Sequence, residues 1–236
     1  MLIDLHAHTS GISRCCRMDA AQIVETAKNA GLDGIVLTNH YHKPYVKDGD
    51  FLGFARRYVE EYQYTKACGE KLGCKVFFGL EISMEQYERT HVLVYGVGED
   101  FVLQNPGVFD CSLKNLHALV RDWGGSLIQA HPMRKGKTVL PEAEYLDGLE
   151  INCHPLYEGT HLQALTAIAR EKGMILTAGG DFHADTHHPH CGVYLPDGMD
   201  ATMELGAFLR ATPSIDLQIQ EPGETQSYRL TFPRER

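Results

Sequence analysis

No stretch of this chain approaches the roughly 18 consecutive apolar residues that a membrane helix needs, and MLIDLHAHTS has no basic segment leading into an apolar one. Neither a membrane span nor a secretory signal is expected, and cytoplasmic residence follows as an expectation. Basic residues are in the minority: 22 Lys and Arg against 31 Asp and Glu give a formal net charge of −9. That balance disfavours a surface built for a long nucleic acid and still allows a local pocket for a small phosphate-bearing molecule. Paired thiols are missing as well. The cysteines, 7 in all, form no CxxC pair, so reduced core thiols are expected instead of a disulfide framework. With no repeat, linker or low-complexity segment, the 236 residues read as one domain, with a core over 1–212 and a tail over 213–236 patterned as a β-hairpin around EPGE.

Histidine, by contrast, is abundant, with 13 copies. His117 and His161 fall inside helical patterns, whereas the others gather beside carboxylates at the ends of apolar runs. Those runs, at 2–5, 33–38, 75–82, 91–97, 126–130, 147–152 and 173–180, are short and mostly continuous, as buried strands are. Between them, 19–31, 50–73 and 160–173 read as helices with recognisable caps, and 112–125 and 200–210 read as two more. The alternation predicts an α/β fold. Polar residues at the ends of at least five strands converge only if the sheet closes, which predicts a distorted TIM-like barrel in preference to an open sheet. Only residues 83–90 separate the third run from the fourth, too few for a parallel crossover. The fourth strand is therefore expected to run antiparallel, starting with His91 beside Glu81.

His6 and His8 alternate on an extended segment, so both imidazoles face one side. Alone, such a pair is more often two hydrogen-bonded core histidines than two ligands. Repetition changes the reading: His40, Glu81, His131, Asp181 and His183 all stand at the ends of later strands, and His91 joins them. Nitrogen and carboxylate donors without paired thiolates suit Mn, Zn or Fe. Eight such donors exceed the needs of one tetrahedral ion and suit two or three divalent ions with Glu81 between them. A cluster of that kind activates water and neutralises charge on a phosphate ester, without any protein nucleophile.

The ordered motifs DLHAHT, LTNH, GLEIS, AHPMR and GGDFH, spread over 4–183, resemble the PHP (polymerase and histidinol phosphatase) superfamily of metal-dependent phosphoesterases. GLEISMEQYERTHVLVYG is similar to small members that act on nucleoside 3',5'-bisphosphates. The resemblance implies a distorted (β/α)7 barrel, a metal cluster held by His6, His8, His40, Glu81, His91, His131, Asp181 and His183, and hydrolysis of a small phosphomonoester or phosphodiester. Two departures stand out. SGISRCC replaces a segment that often holds an Asp, and Asn39 stands where an Asp is common. Cys15 and Cys16 are expected outside the ligand set, with Arg14 and Arg17 shaping the substrate end. Asp4 and Asn39 are expected to orient ligands from behind.

Arg134 reads either as a phosphate clamp or as a surface arginine, and Asn152 and His154 either as substrate contacts or as supports for the ligands. His42, His187, His188 and His190 read as solvated loop histidines at the mouth, within loops 41–50, 132–146 and 184–192 that are long enough to form a lid. Two alternatives remain open. An amidohydrolase also begins with HxH, but no strand-end lysine is available here to bridge metals; a catalytically impaired metal-binding barrel is the other.

Overall fold

The computed structural model describes residues 1–87, 90–136, 139–187 and 190–234. The strands are β1 (Leu2–Ala7), β2 (Gly34–Leu37), β3 (His40–Tyr41), β4 (Lys75–Met84), β5 (Thr90–Tyr95), β6 (Ser126–Gln129), β7 (Gly148–Asn152), β8 (Ile175–Gly179), β9 (Gly192–Tyr194), β10 (Ser214–Gln220) and β11 (Ser227–Pro233). The α-helices are α1 (Ala20–Asn29), α2 (Phe51–Leu72), α3 (Glu99–Gln104), α4 (Leu113–Asp122), α5 (Leu162–Lys172) and α6 (Thr202–Ala211). Local chemistry sets their limits. Asp19 caps α1 reciprocally with Gln22, Asp50 accepts the Gly53 amide at the start of α2, and left-handed Gly73 and Gly173 end α2 and α5.

The sheet runs in the order β11-β10-β9-β1-β2-β4-β5-β6-β7-β8, with β3 paired to β4. Strands β1, β2 and β4 are parallel neighbours, and so are β6, β7 and β8. β5 lies antiparallel between β4 and β6, as the short connection before it requires. Past the end of β8, Phe182 pairs with Ala7, and the Asp181 amide donates to the His6 carbonyl at 2.9 Å. These contacts bring the far edge back to β1 and leave a nearly closed, barrel-like sheet.

Every residue of β2, β6, β7 and β8 is buried, as continuous apolar runs in a covered parallel sheet must be. The tail pairs as the expected hairpin, but it is not separate from the sheet: β10 also pairs with β9, a three-residue strand that the sequence pattern does not reveal. The register between β1 and β2 slips between Asp4 and Ala7, an irregularity that falls at His6 near the end of β1.

Candidate metal centre

The parallel strand ends and the start of antiparallel β5 meet at one end of the barrel. His6 and His8 are fully buried, with ring centroids 5.0 Å apart. Glu81, also fully buried, lies between the histidines. Its Oε1 is 2.6 Å from His91 Nδ1, 3.0 Å from His131 Nε2 and 3.7 Å from His6 Nε2. Its Oε2 is 2.5 Å from His40 Nδ1 and 3.6 Å from His8 Nε2. Close as it is, the His40 contact is misaligned for a hydrogen bond, and both of its atoms lack a hydrogen-bonding partner. On the opposite wall, Asp181 Oδ1 is 3.2 Å from His8 Nε2 and 3.5 Å from His6 Nε2, and Tyr157 donates to Oδ2 at 2.7 Å.

Neighbouring groups determine which imidazole nitrogens carry protons. His6 donates Nδ1–H to Glu150 Oε1 at 2.7 Å, and His183 donates Nδ1–H to the Asp181 carbonyl at 2.6 Å. For His8 the partner is the Ser13 hydroxyl at 3.1 Å. Ser13 gives its own proton to Asn39 Oδ1 at 2.8 Å, and Asn39 Oδ1 cannot donate one back, so the Nδ1 proton must belong to His8. Asn39 is itself held by the Thr9 amide and hydroxyl, each at 2.8 Å. Nε2 of His6 and of His8 therefore carries the lone pair in the neutral ring, and both atoms are buried without a hydrogen-bonding partner. An orphaned buried acceptor is costly, and a cation removes the cost. The donor set thus fits divalent ions, and among the described residues three groups can hold one: His6, His8 and Glu81; His8, His40 and His183; and His40, His42, Glu81 and His91.

Electrostatics without ions reflects the same crowding. Burial opposes charge on His6, but Glu150, Asp181 and Glu81 outweigh it and hold the imidazole well above its usual pKa. His40, likewise desolvated, is raised to about 10 by Glu81. His8 is driven well below the normal range by burial and by His183. Despite their burial, Glu81 and Asp181 are kept well below ordinary carboxylates by the surrounding imidazoles. His131 and Asp181 adopt φ of 29° and 49°, a region costly for residues other than glycine and common where a site over-determines the backbone.

The supporting residues behind the cluster divide into those expected and those missed. Asp4 accepts the His6 amide at 2.8 Å and the Gly180 amide at 3.0 Å. Glu150, in the middle of β7, takes the His6 ring, the His131 amide at 2.7 Å and Asn152 Nδ2 at 3.0 Å. Asn152 is thus turned inward as a support. Its side-chain oxygen also accepts the His154 amide at 3.0 Å. Only Gly fits at 179 on the adjoining strand, since a Cβ there would lie 2.5 Å from His6 Cβ and 2.8 Å from Glu150 Oε1.

A cavity of about 470 Å³ opens onto the cluster, lined by Cys15, His40, Glu81, His91, His131, Arg134, Lys135, His154, Leu156, Tyr157, Glu158, Asp181 and His183. The Arg134 guanidinium sits 4.2 Å above the Tyr157 ring, and its Nε is buried without a partner. The His154 ring also stacks on Tyr157, with ring centroids 4.2 Å apart.

Arg14 and Arg17 are exposed and do not line the cavity; Arg14 instead stacks 4.5 Å over Tyr45. Cys16 is buried and donates to the His8 carbonyl at 3.2 Å. Cys15 does reach the cavity. Its Sγ is 3.1 Å from His40 Nε2, and although partial burial opposes ionisation, contacts with His183 and His40 bring the thiol down to about 6.

His42 is no solvated loop residue. Its ring lies 4.3 Å from His40 and 4.8 Å from His91, and its Nε2 is buried without a partner. His187 approaches His154 at 4.5 Å, while His188 lies outside the described residues. Glu150, Ser13, Tyr157, Lys135 and His42 are the functional candidates that sequence reasoning missed. HYH repeats the HAH spacing and could have revealed His42, and a Glu inside the apolar run LEI could have revealed Glu150.

No family model matches the sequence, and neither does any curated protein. Solved structures do share the fold. PsfC from Pseudomonas syringae PB-5123 is 20% identical with a TM-score of 0.64, covering 97% of this chain and 90% of that one. An amidohydrolase from Chromobacterium violaceum, solved with sulfate and no metal, is 14% identical with a TM-score of 0.58, covering 88% and 96%. The lesion-specific endonuclease PfuEndoQ from Pyrococcus furiosus is 12% identical with a TM-score of 0.59, covering 89% of this chain and 56% of that one. Among the described residues, no helix is long and apolar enough to cross a membrane.

Proposed function

We propose that the chain is a metal-dependent phosphoesterase of the PHP type, built on a distorted (β/α)7 barrel and acting on a small phosphorylated metabolite or nucleotide. The observation that carries the reading is the position of Glu81: one oxygen faces His6, His91 and His131, and the other faces His8 and His40. A carboxylate flanked in this way divides the donors between two or three divalent ions, with Mn, Zn and Fe suited to the nitrogen and oxygen set. When bound, such ions supply activation of water and neutralisation of phosphoryl charge.

The protein's own groups account for the rest. Glu150 and the Ser13–Asn39 pair hold the His6 and His8 rings, and Tyr157 fixes Asp181 by occupying its second oxygen. Arg134 and Lys135 place positive charge on the cavity wall beside His131, where an arginine fork suits a phosphate. A small substrate is consistent with the cavity volume and with the net charge of −9.

Protein loaded separately with Mn, Zn and Fe, and assayed against phosphomonoesters, nucleoside 3',5'-bisphosphates, phosphodiesters and cyclic amides, tests the reading. Phosphate release from a small ester is the expected result. Full metal loading without release from any ester would overturn it. Ring opening of an amide would support the amidohydrolase alternative, which one structural neighbour brings forward, although among the described residues no parallel strand ends in a lysine. Metal binding without any turnover would leave the impaired barrel.

A further inference from the structure

Cys15 stands apart from the nitrogen and oxygen donors, yet the chain holds its sulfur against them. Ser13 accepts the Cys16 amide at 2.9 Å, and the Arg17 amide donates to the His183 carbonyl at 2.8 Å. These bonds pin both ends of the short segment that carries Cys15 between β1 and the loop after β8. Sγ lies 3.1 Å from His40 Nε2 and also interacts with the His183 ring.

A second observation is independent of the sulfur. The ligand nitrogens of His8, His40 and His183 lie within 4.8 Å of one another. His8 is fully buried, and its Nε2 has no partner. Because its Nδ1 proton is committed to Ser13, the atom facing this group is a bare lone pair. His183 commits its Nδ1 proton to the Asp181 carbonyl in the same way. Three imidazole nitrogens and one sulfur are the donor number and type of a tetrahedral zinc site.

We propose that Cys15 is a thiolate ligand that completes, with His8, His40 and His183, a four-donor site selective for zinc over manganese. The proposal rests on the metal-centre reading above and refines it. A thiolate is a soft donor that zinc accepts and that manganese, suited to oxygen, does not favour. Among the described residues the other donors around Glu81 are imidazole nitrogens and carboxylate oxygens, so Cys15 would give the cluster its one soft donor.

Zinc-edge X-ray absorption of the zinc-loaded 236-residue protein is the test, paired with chelator competition for zinc and manganese. A sulfur shell at about 2.3 Å beside nitrogen at about 2.0 Å is expected. It should vanish in Cys15→Ala and persist in Cys16→Ala, with circular dichroism confirming that both variants fold. Residues that only orient a ligand cost about 10–100-fold in metal affinity when removed. Cys15→Ala should exceed that range for zinc and change manganese affinity far less. Zinc bound in full with only nitrogen and oxygen neighbours, or a sulfur shell that survives Cys15→Ala, would overturn the thiolate assignment and leave the metal centre standing. Failure to bind any divalent ion would overturn both.

Discussion

Glu150 offers the sharpest handle on the centre because it does not line the cavity at the cluster and acts through other groups. It accepts from the His6 ring, the His131 amide and Asn152, at 2.7, 2.7 and 3.0 Å, and it is fully buried. Replacing it by Gln preserves volume but removes the charge and leaves only one acceptor oxygen. That oxygen can face His6 or His131, and the new amide then points its N–H groups at a donor. One hydrogen bond to a charged acceptor, worth about 1.5–3 kcal/mol, is lost. A carboxylate that orients a ligating histidine is worth about 10–100-fold in metal affinity, equivalent to about 1.4–2.7 kcal/mol.

Glu150→Gln should therefore weaken zinc binding by that factor in chelator competition, and urea unfolding of the metal-free variant should show whether the fold itself has suffered. Gly179→Ala provides a second route to the same outcome without altering charge, since its Cβ would displace both His6 and the Glu150 carboxylate. If both variants bound zinc within about threefold of the parent, a change well below the range for such supports, the assignment of Glu150 as the group that orients His6 would be refuted.

Three other outcomes are expected. Carboxylates hold His6 above its usual pKa and His40 at about 10 in the metal-free protein, so protons compete with cations for these rings. Apparent metal affinity should climb by about tenfold per pH unit for each proton displaced, with competition extending up to about pH 10; a flat profile in pH-buffered chelator titrations would contradict the assignment. Arg134→Ala should raise KM for a phosphorylated substrate by roughly 10- to 100-fold, the loss of one charge-assisted contact, in steady-state assays of the metal-loaded enzyme; an unchanged KM would assign Arg134 to the surface. Burial raises Asp4 from 3.8 to about 7, so the folded chain retains a proton that the unfolded chain releases. Stability from this source is complete below pH 3.8 and fades as pH rises through about 7. Metal-free Asp4→Asn should lack that part of the slope in urea midpoints measured across the range.

Much of the centre is legible in the sequence because strand ends are legible. An apolar run followed by His or Asp announces both the strand and the direction in which its last side chains emerge, and the number of residues between 82 and 91 was enough to reverse β5. Glu150 escaped for the opposite reason. Within DGLEIN the run looks uniformly buried, and nothing local tells which strand parity faces the barrel axis. His42 was obscured by its proximity to a loop, although the two-residue strand β3, paired His40 to Glu81, extends the backbone far enough to aim a second imidazole inward. Cys15 depended on how residues 9–17 turn back on themselves, a path set by the Asn39–Ser13 bonds and by an amide donated to His183. Strand β9 is too short to leave a pattern, so the way the tail joins the sheet could be seen only in three dimensions.

The seam where β8 returns to β1 joins through Ala7 pairing with Phe182 and the Asp181 amide on His6, a thin zipper beside the ladders elsewhere in the sheet. His6 and His8 stand on one bank of that seam, and Asp181 and His183 stand on the other. A cation held between the banks would therefore be a clasp as well as a reagent, tying the two edges of the sheet together where few backbone bonds do so.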